Sequence, residues 1–198
     1  MLAASNPLTL VVRPMQTLAV EPLNELVAGC QRGKPGSRDA QRQIYELCHR
    51  RVYRLVVQMV GRQEAADVIQ QVFLQVFRAM DRFDGRSRFE TWLYRVTMNE
   101  ALQHLRRQRR WRWTSLVSDV VDYEPDQERH LDYKDLLERA LARLEPELRS
   151  LFLLREVEKQ SYAEIAEVTQ IPEGTVASRL NRARQLLKQH LLELRWEQ

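Results

Sequence analysis

Apolar positions in this chain recur three and four residues apart over long stretches, and alternation of apolar with polar residues is nowhere sustained. That spacing marks helices with one buried face, so the expected fold is all-α. Val68, Val72, Val76 and Met80 repeat every four residues, with Ile69, Phe73 and Phe77 one position over. Asp67, Gln70, Gln71, Gln75 and Arg78 take the opposite face of that helix. Asp84-Gly85 is a turn signal, and Ser87-Arg88-Phe89-Glu90 reads as a capping box opening the next helix. This helix runs to about Arg110 and carries an apolar stripe of Tyr94, Met98, Ala101, Leu102 and Leu105.

The pattern then stops. From Thr114 to Glu128 the chain has five acids (Asp119, Asp122, Glu124, Asp126, Glu128), no base, and Pro125. Helical spacing resumes with Leu137, Ala140, Leu141 and Leu144, then Leu148, Leu151 and Phe152 behind Pro146. We therefore expect an N-terminal tail (1–20) and two helical domains, 21–113 and 131–198, joined by a flexible acidic linker (114–130).

The second domain ends in a recognisable device. Ser161-Tyr162-Ala163-Glu164 is a second capping box, opening a short helix. Thr169-Gln170-Ile171 forms a turn, and Pro172 sits in the first turn of the last helix, where its missing N–H costs nothing. That helix buries Val176, Leu180, Ala183, Leu187 and Leu191, and turns Thr175, Ser178, Arg179 and Arg182 outward near its start. A short helix, tight turn and second helix with polar and basic residues early on its outer face make a helix-turn-helix across 161–180. Such a helix fits the major groove of duplex DNA, where Arg reads guanine edges and Ser or Thr bonds bases or phosphate.

Charge sharpens this picture. The chain has 198 residues with formal net charge +4 and pI near 9.3, so distribution says more than the sum. Arg106, Arg107, Arg109, Arg110 and Arg112 crowd seven residues, interleaved with Trp111 and Trp113. Trp92, Arg95, Asn99, Gln103, Arg106 and Arg110 share one face of the same helix. Unstacked bases lie on aromatic rings while arginines hold phosphates, so this face suits single-stranded nucleic acid. The competing reading is a solvated face with Trp92 in the core, its arginines merely complementing the helix C-terminus.

Other chemistry is absent from the pattern. Two cysteines, Cys30 and Cys48, make no CxxC and no disulfide framework, which fits a reducing cytoplasm. Cys48-His49 with Cys30 falls short of a structural zinc set. The four histidines are scattered, so we expect no catalytic site, metal or cofactor. No apolar run approaches the ~18 residues of a membrane span. Leu8–Val12 lacks the basic flank of a signal peptide. With Met15 just beyond, whether 1–14 belong to the native protein stays open.

Taken in order, three segments resemble the sigma-70 family of RNA polymerase sigma factors, and its extracytoplasmic-function group in particular. ADVIQQVFLQVFRAMDRFDG is similar to the family's core-polymerase-binding helix and following loop. SRFETWLYRVTMNEALQHLRRQRR is similar to its promoter-melting helix, and LEPELRSLFLLREVEKQSYAEIAEVTQIPEGTVASRLNRAR to its −35-reading domain. The resemblance implies that Asp67, Gln70, Gln71, Gln75 and Arg78 dock on core polymerase. It implies that Phe83, Asp84, Gly85, Arg86 and Ser87 capture a flipped −10 base, with Asn99 beside them. Thr175, Ser178, Arg179 and Arg182 would contact the −35 element. A free monomer, an anti-sigma partner and a linker acting inside the polymerase cleft follow as expectations. Three positions depart from the family: Gln71 for the usual acid, Gln170 for the turn glycine, and Ala177 where Lys or Arg is frequent. The alternatives are a helix-turn-helix activator or repressor working without core polymerase, and an adaptor that binds polymerase but not promoters.

Overall fold

The computed structural model describes residues 20–30, 36–114 and 133–196. Every regular element among them is helical: α1 (Val20–Gly29), α2 (Ser37–Val60), α3 (Arg62–Ala79), α4 (Phe89–Thr114), α5 (Tyr133–Ala142), α6 (Pro146–Glu156), α7 (Tyr162–Thr169) and α8 (Glu173–Trp196), with a 3-10 turn at Met80–Arg82. The acidic segment expected to act as a linker lies almost wholly outside the described residues. None of the described helices is long and apolar enough to cross a membrane.

Two helical units result. In the first, α2, α3 and α4 pack on one another and α1 closes one side. Its core holds Ile44, Leu55, Val56, Met59, Val72, Val76, Leu93 and Ala101, all at 2% exposure or less. The apolar stripe of α3 is buried as its spacing requires, with Val68, Ile69, Val72, Phe73 and Val76 inward. Gly61 separates α2 from α3 at φ 88°, ψ 167°, a conformation a side chain would resist.

In the second unit, α8 runs against α5, α6 and α7 and buries Val176, Leu180, Ala183, Leu187 and Leu194. The capping box at the start of α7 is complete: Ser161 Oγ accepts from Glu164 N, while Ser161 N donates to Glu164 Oε2. Pro172 lies one residue before α8, and its carbonyl accepts from Thr175 N and Val176 N.

The first helix start differs. α4 begins at Phe89, and the Arg88 carbonyl accepts from Trp92 N. Glu90, expected to cap Ser87, instead turns inward, with Oε1 buried and lacking a hydrogen-bond partner. The aromatic contacts of Phe89 and Trp92 beneath the preceding loop override the local capping pattern.

Helix α6 is buried on all sides from Leu148 to Leu154. It touches not only α7 and α8 but also α2 and α4, so it lies between the units. Arg149 is carried inside with it, at 8% exposure. Its guanidinium donates to Met59 O at the end of α2, and to Ala142 O and Leu144 O after α5. Burial holds it down to about 10, still charged at neutral pH.

Candidate functional site

Helix α3 presents a continuous outer face. Asp67, Gln70, Gln71, Gln75 and Arg78 are all exposed. Leu74 lies among them at 39% exposure, an apolar residue that the sequence reading passed over. Its place one turn beyond Gln70 was the available signal. A polar face with a central leucine suits a protein partner, where one apolar anchor inside a polar surround carries much of the affinity.

The loop after α3 is held by local chemistry. Asp84 Oδ1 accepts from Arg86 N at 3.2 Å, and Asp84 Oδ2 pairs with Arg86 Nε at 3.0 Å. Gly85 has φ 71°, which a side chain would strain. Asp84, Gly85 and Arg86 are exposed, and Phe83 and Ser87 half-buried. Beneath them Phe83 meets Phe89 edge-on at 5.8 Å and Trp92 at 5.3 Å.

Trp92 therefore does not head an exposed stripe. It is 9% exposed and stands in the core as the loop's support, because the first turn of α4 packs under the loop. The rest of that face stays accessible: Asn99, Gln103, Arg106 and Arg110 are exposed and Arg95 half-buried. Trp111, on the same helix end, is 74% exposed. The side chains of Arg112 and Trp113 lie outside the described set.

The helix-turn-helix forms, and among the described residues none covers its outer face. Ser178, Arg179 and Arg182 are exposed and Thr175 half-buried. Ser178 Oγ donates to Thr175 O at 3.1 Å, keeping that hydroxyl on the helix. Arg182 approaches Glu145 only to 4.0 Å, both side chains well solvated, so this pair adds little and leaves the guanidinium available. The turn residue Gln170 is left-handed, φ 57° and ψ 36°.

Between the units lies a cluster that helical spacing could not reveal. The Glu158 carboxylate is 3% exposed; Oε1 accepts from Arg54 at 2.6 Å and Oε2 from the Tyr94 hydroxyl at 2.6 Å. Arg51 Nε stands 3.6 Å from Oε2. Burial, then the Glu158 charge, pushes the Tyr94 phenol far above its usual range, so it remains a donor. A polar cavity of about 350 Å³ opens beside them, lined among others by Arg88, Glu90 and Glu164. Among residues whose placement is described, no group of three or more His, Cys, Asp and Glu could hold a metal ion.

Comparison with known proteins agrees with this arrangement. The sigma-70 region 2 model matches residues 44–111, and the sigma-70 region 4 model residues 134–187. The chain is 35% identical to the RNA polymerase sigma-H factor of Pseudomonas aeruginosa over 191 residues, covering 89% of this chain and 97% of that one. It is 31% identical to the extracytoplasmic-function sigma-E factor of Haemophilus influenzae, covering 83% and 94%. Among solved structures, the sigma factor RpoE of Bartonella quintana, in complex with the anti-sigma factor NepR, superposes with a TM-score of 0.62 at 25% identity, covering 76% of this chain and 95% of that one. Both halves of the chain, in this order and over nearly their full length, place it in one family: it belongs to the sigma-70 family of RNA polymerase sigma factors, within the extracytoplasmic-function group.

Proposed function

We propose that the first unit (21–113) docks core RNA polymerase through the α3 face and holds the opened −10 strand, while the second (131–198) reads the −35 duplex. Asp67, Gln70, Gln71, Gln75 and Arg78 surround Leu74 as the polymerase contact. The Phe83–Ser87 loop receives an unstacked base, and Arg95, Asn99, Arg106 and Arg110 follow the strand behind it. Thr175, Ser178, Arg179 and Arg182 enter the major groove. Trp92 acts from below, stiffening the loop. Capturing a base costs a few kcal/mol of unstacking, offset by contacts in the pocket.

The observation that carries this reading is the coexistence, in one chain, of buried apolar faces on α3 and α8 with polar outer faces that no other described element covers. A protein of this kind works by binding, with no covalent chemistry of its own, in the cytoplasm and as a free monomer. The Bartonella relative is held by an anti-sigma factor, and a partner of that kind is expected here too. Run-off transcription on a genomic promoter pool tests the proposal: core polymerase should yield discrete transcripts only when this protein is added. A repressor or activator would add none and would dimerise to read a palindrome, which gel filtration detects.

A further inference from the structure

The buried face of α8 locates the face that can meet DNA. Val176, Leu180, Ala183 and Leu187 are each 3% exposed or less. Two positions before each of them stand Gly174, Ser178, Asn181 and Gln185, and all four are exposed. Two residues turn an α-helix by about 200°, so this ridge lies nearly opposite the core. Thr175, Arg179 and Arg182 each stand one position before a core residue, about 100° from it, and so flank the ridge. Of the four residues that the sequence pattern turned outward, only Ser178 is on it.

The ridge offers one side chain placed to read a base. Gly174 carries none, and among the described residues nothing stands within 4 Å of where its Cβ would be. Packing therefore does not ask for glycine there, and the bare backbone lets the helix start approach a partner closely. Ser178 spends its hydroxyl proton on Thr175 O at 3.1 Å. The major groove is about 12 Å wide, and a helix rises ~1.5 Å per residue. Asn181, ~10 Å beyond Gly174, lies within that width, whereas Gln185, ~16 Å beyond, passes its edge.

Asn181 is also steadied. Its Oδ1 accepts from Arg184 Nη1 at 3.5 Å, and Arg184 is itself tied to Glu156 Oε1 on α6 through Nε at 3.2 Å and Nη2 at 2.8 Å. The second lone pair of Oδ1 and the protons of Nδ2 face outward with the ridge. A donor and an acceptor side by side match the adenine edge, which presents N7 as acceptor and the N6 amine as donor. Guanine presents two acceptors there and would set one of them against Oδ1. Resting on the reading of α8 as the −35 helix, we propose that Asn181 determines specificity by reading one adenine of the −35 duplex through its amide, while Arg179 and Arg182 work from its flanks.

The test uses core polymerase with the full-length protein and a promoter that gives run-off product, its −35 element randomised, with the bound templates sequenced. The unaltered protein should select adenine at one or more −35 positions. Asn181→Ala should cut the preference for adenine at one of them about tenfold, the size of one lost bidentate contact, and leave the others within twofold. Asn181→Asp keeps the shape and the Arg184 contact but offers acceptors only, so the same position should turn to cytosine, whose N4 amine donates. If Asn181→Ala leaves the selected sequence unchanged, or weakens all templates alike as loss of a phosphate contact does, Asn181 reads no base. The Arg179→Ala, Arg182→Ala double variant separates the two readings. Where it alters the selected sequence and Asn181→Ala does not, α8 reads the duplex without Asn181. Where neither alters it, or the unaltered protein selects nothing, α8 is not the reading helix and both readings fall.

Discussion

Lys159 and Gln170 both carry a φ of 57°, where an L side chain crowds the following carbonyl at roughly 1–2 kcal/mol. Gln170 was legible as strained, because it stands where a turn glycine is usual; Lys159 gave no such sign, its φ being set by the short chain between α6 and α7. Lys159→Gly should raise stability by about 0.5–1 kcal/mol in urea titrations. Gln170→Gly should gain less, since the Gln170 Nε2 bond to Glu167 O is lost with the side chain. Arg149 belongs to the same scale and the opposite sign. Arg149→Met removes the donor for three backbone carbonyls, at Met59, Ala142 and Leu144, and leaving buried acceptors unpaired costs on the order of 1–3 kcal/mol each. We expect a loss of roughly 3 kcal/mol or more in the same titration, and a change below 1 kcal/mol would mean that water replaces the guanidinium.

At the scale of elements, the first unit's outer helix α3 and the recognition helix α8 were both readable, because each has one face against a core and one against solvent. Periodicity reports that division directly. It failed for α6, whose Arg149 and Ser150 are buried along with its leucines, because a helix between two units has no solvent face to report. It failed again at the start of α4, where Trp92 shares a helical face with Arg95 and Asn99 yet is pulled inward by Phe83 and Phe89. Only tertiary contact decides that. The two residues should therefore separate in experiment. Trp92→Ala should cost about 3–5 kcal/mol of folding stability, as large aromatic truncations in cores do. Asn99→Ala, on the exposed side, should leave stability and polymerase binding intact while reducing permanganate reactivity of thymines in the open complex. On α8, Arg179→Ala or Arg182→Ala should lose about 1–3 kcal/mol of promoter binding where a base is read. Where a phosphate is held instead, all sequences weaken alike and the salt slope falls by about 1.

Across the whole molecule, the family and the division into two units followed from the order of motifs, whereas the contact between the units did not. Glu158, Arg54 and Tyr94 are 104 and 64 residues apart in pairs, and no local pattern joins them. The two cysteines offer a way to time such a molecule. Cys30 and Cys48 are each 1% exposed, both in the first unit, and the second unit has none. Burial raises both thiols, Cys48 to about 11, so hardly any thiolate meets an alkylating reagent while that unit is closed. Modification must then wait for the first unit to open, and its rate measures how often opening occurs, with the other half of the molecule silent. If the first unit is stable by more than about 4 kcal/mol, iodoacetamide should label the native chain at least ~1000-fold slower than the urea-unfolded one. Lys159→Gly, acting in the second unit, should leave that labelling clock unchanged while Trp92→Ala makes it run fast. Equal, rapid labelling of native and unfolded chains would show that the first unit breathes far more freely than its packing implies.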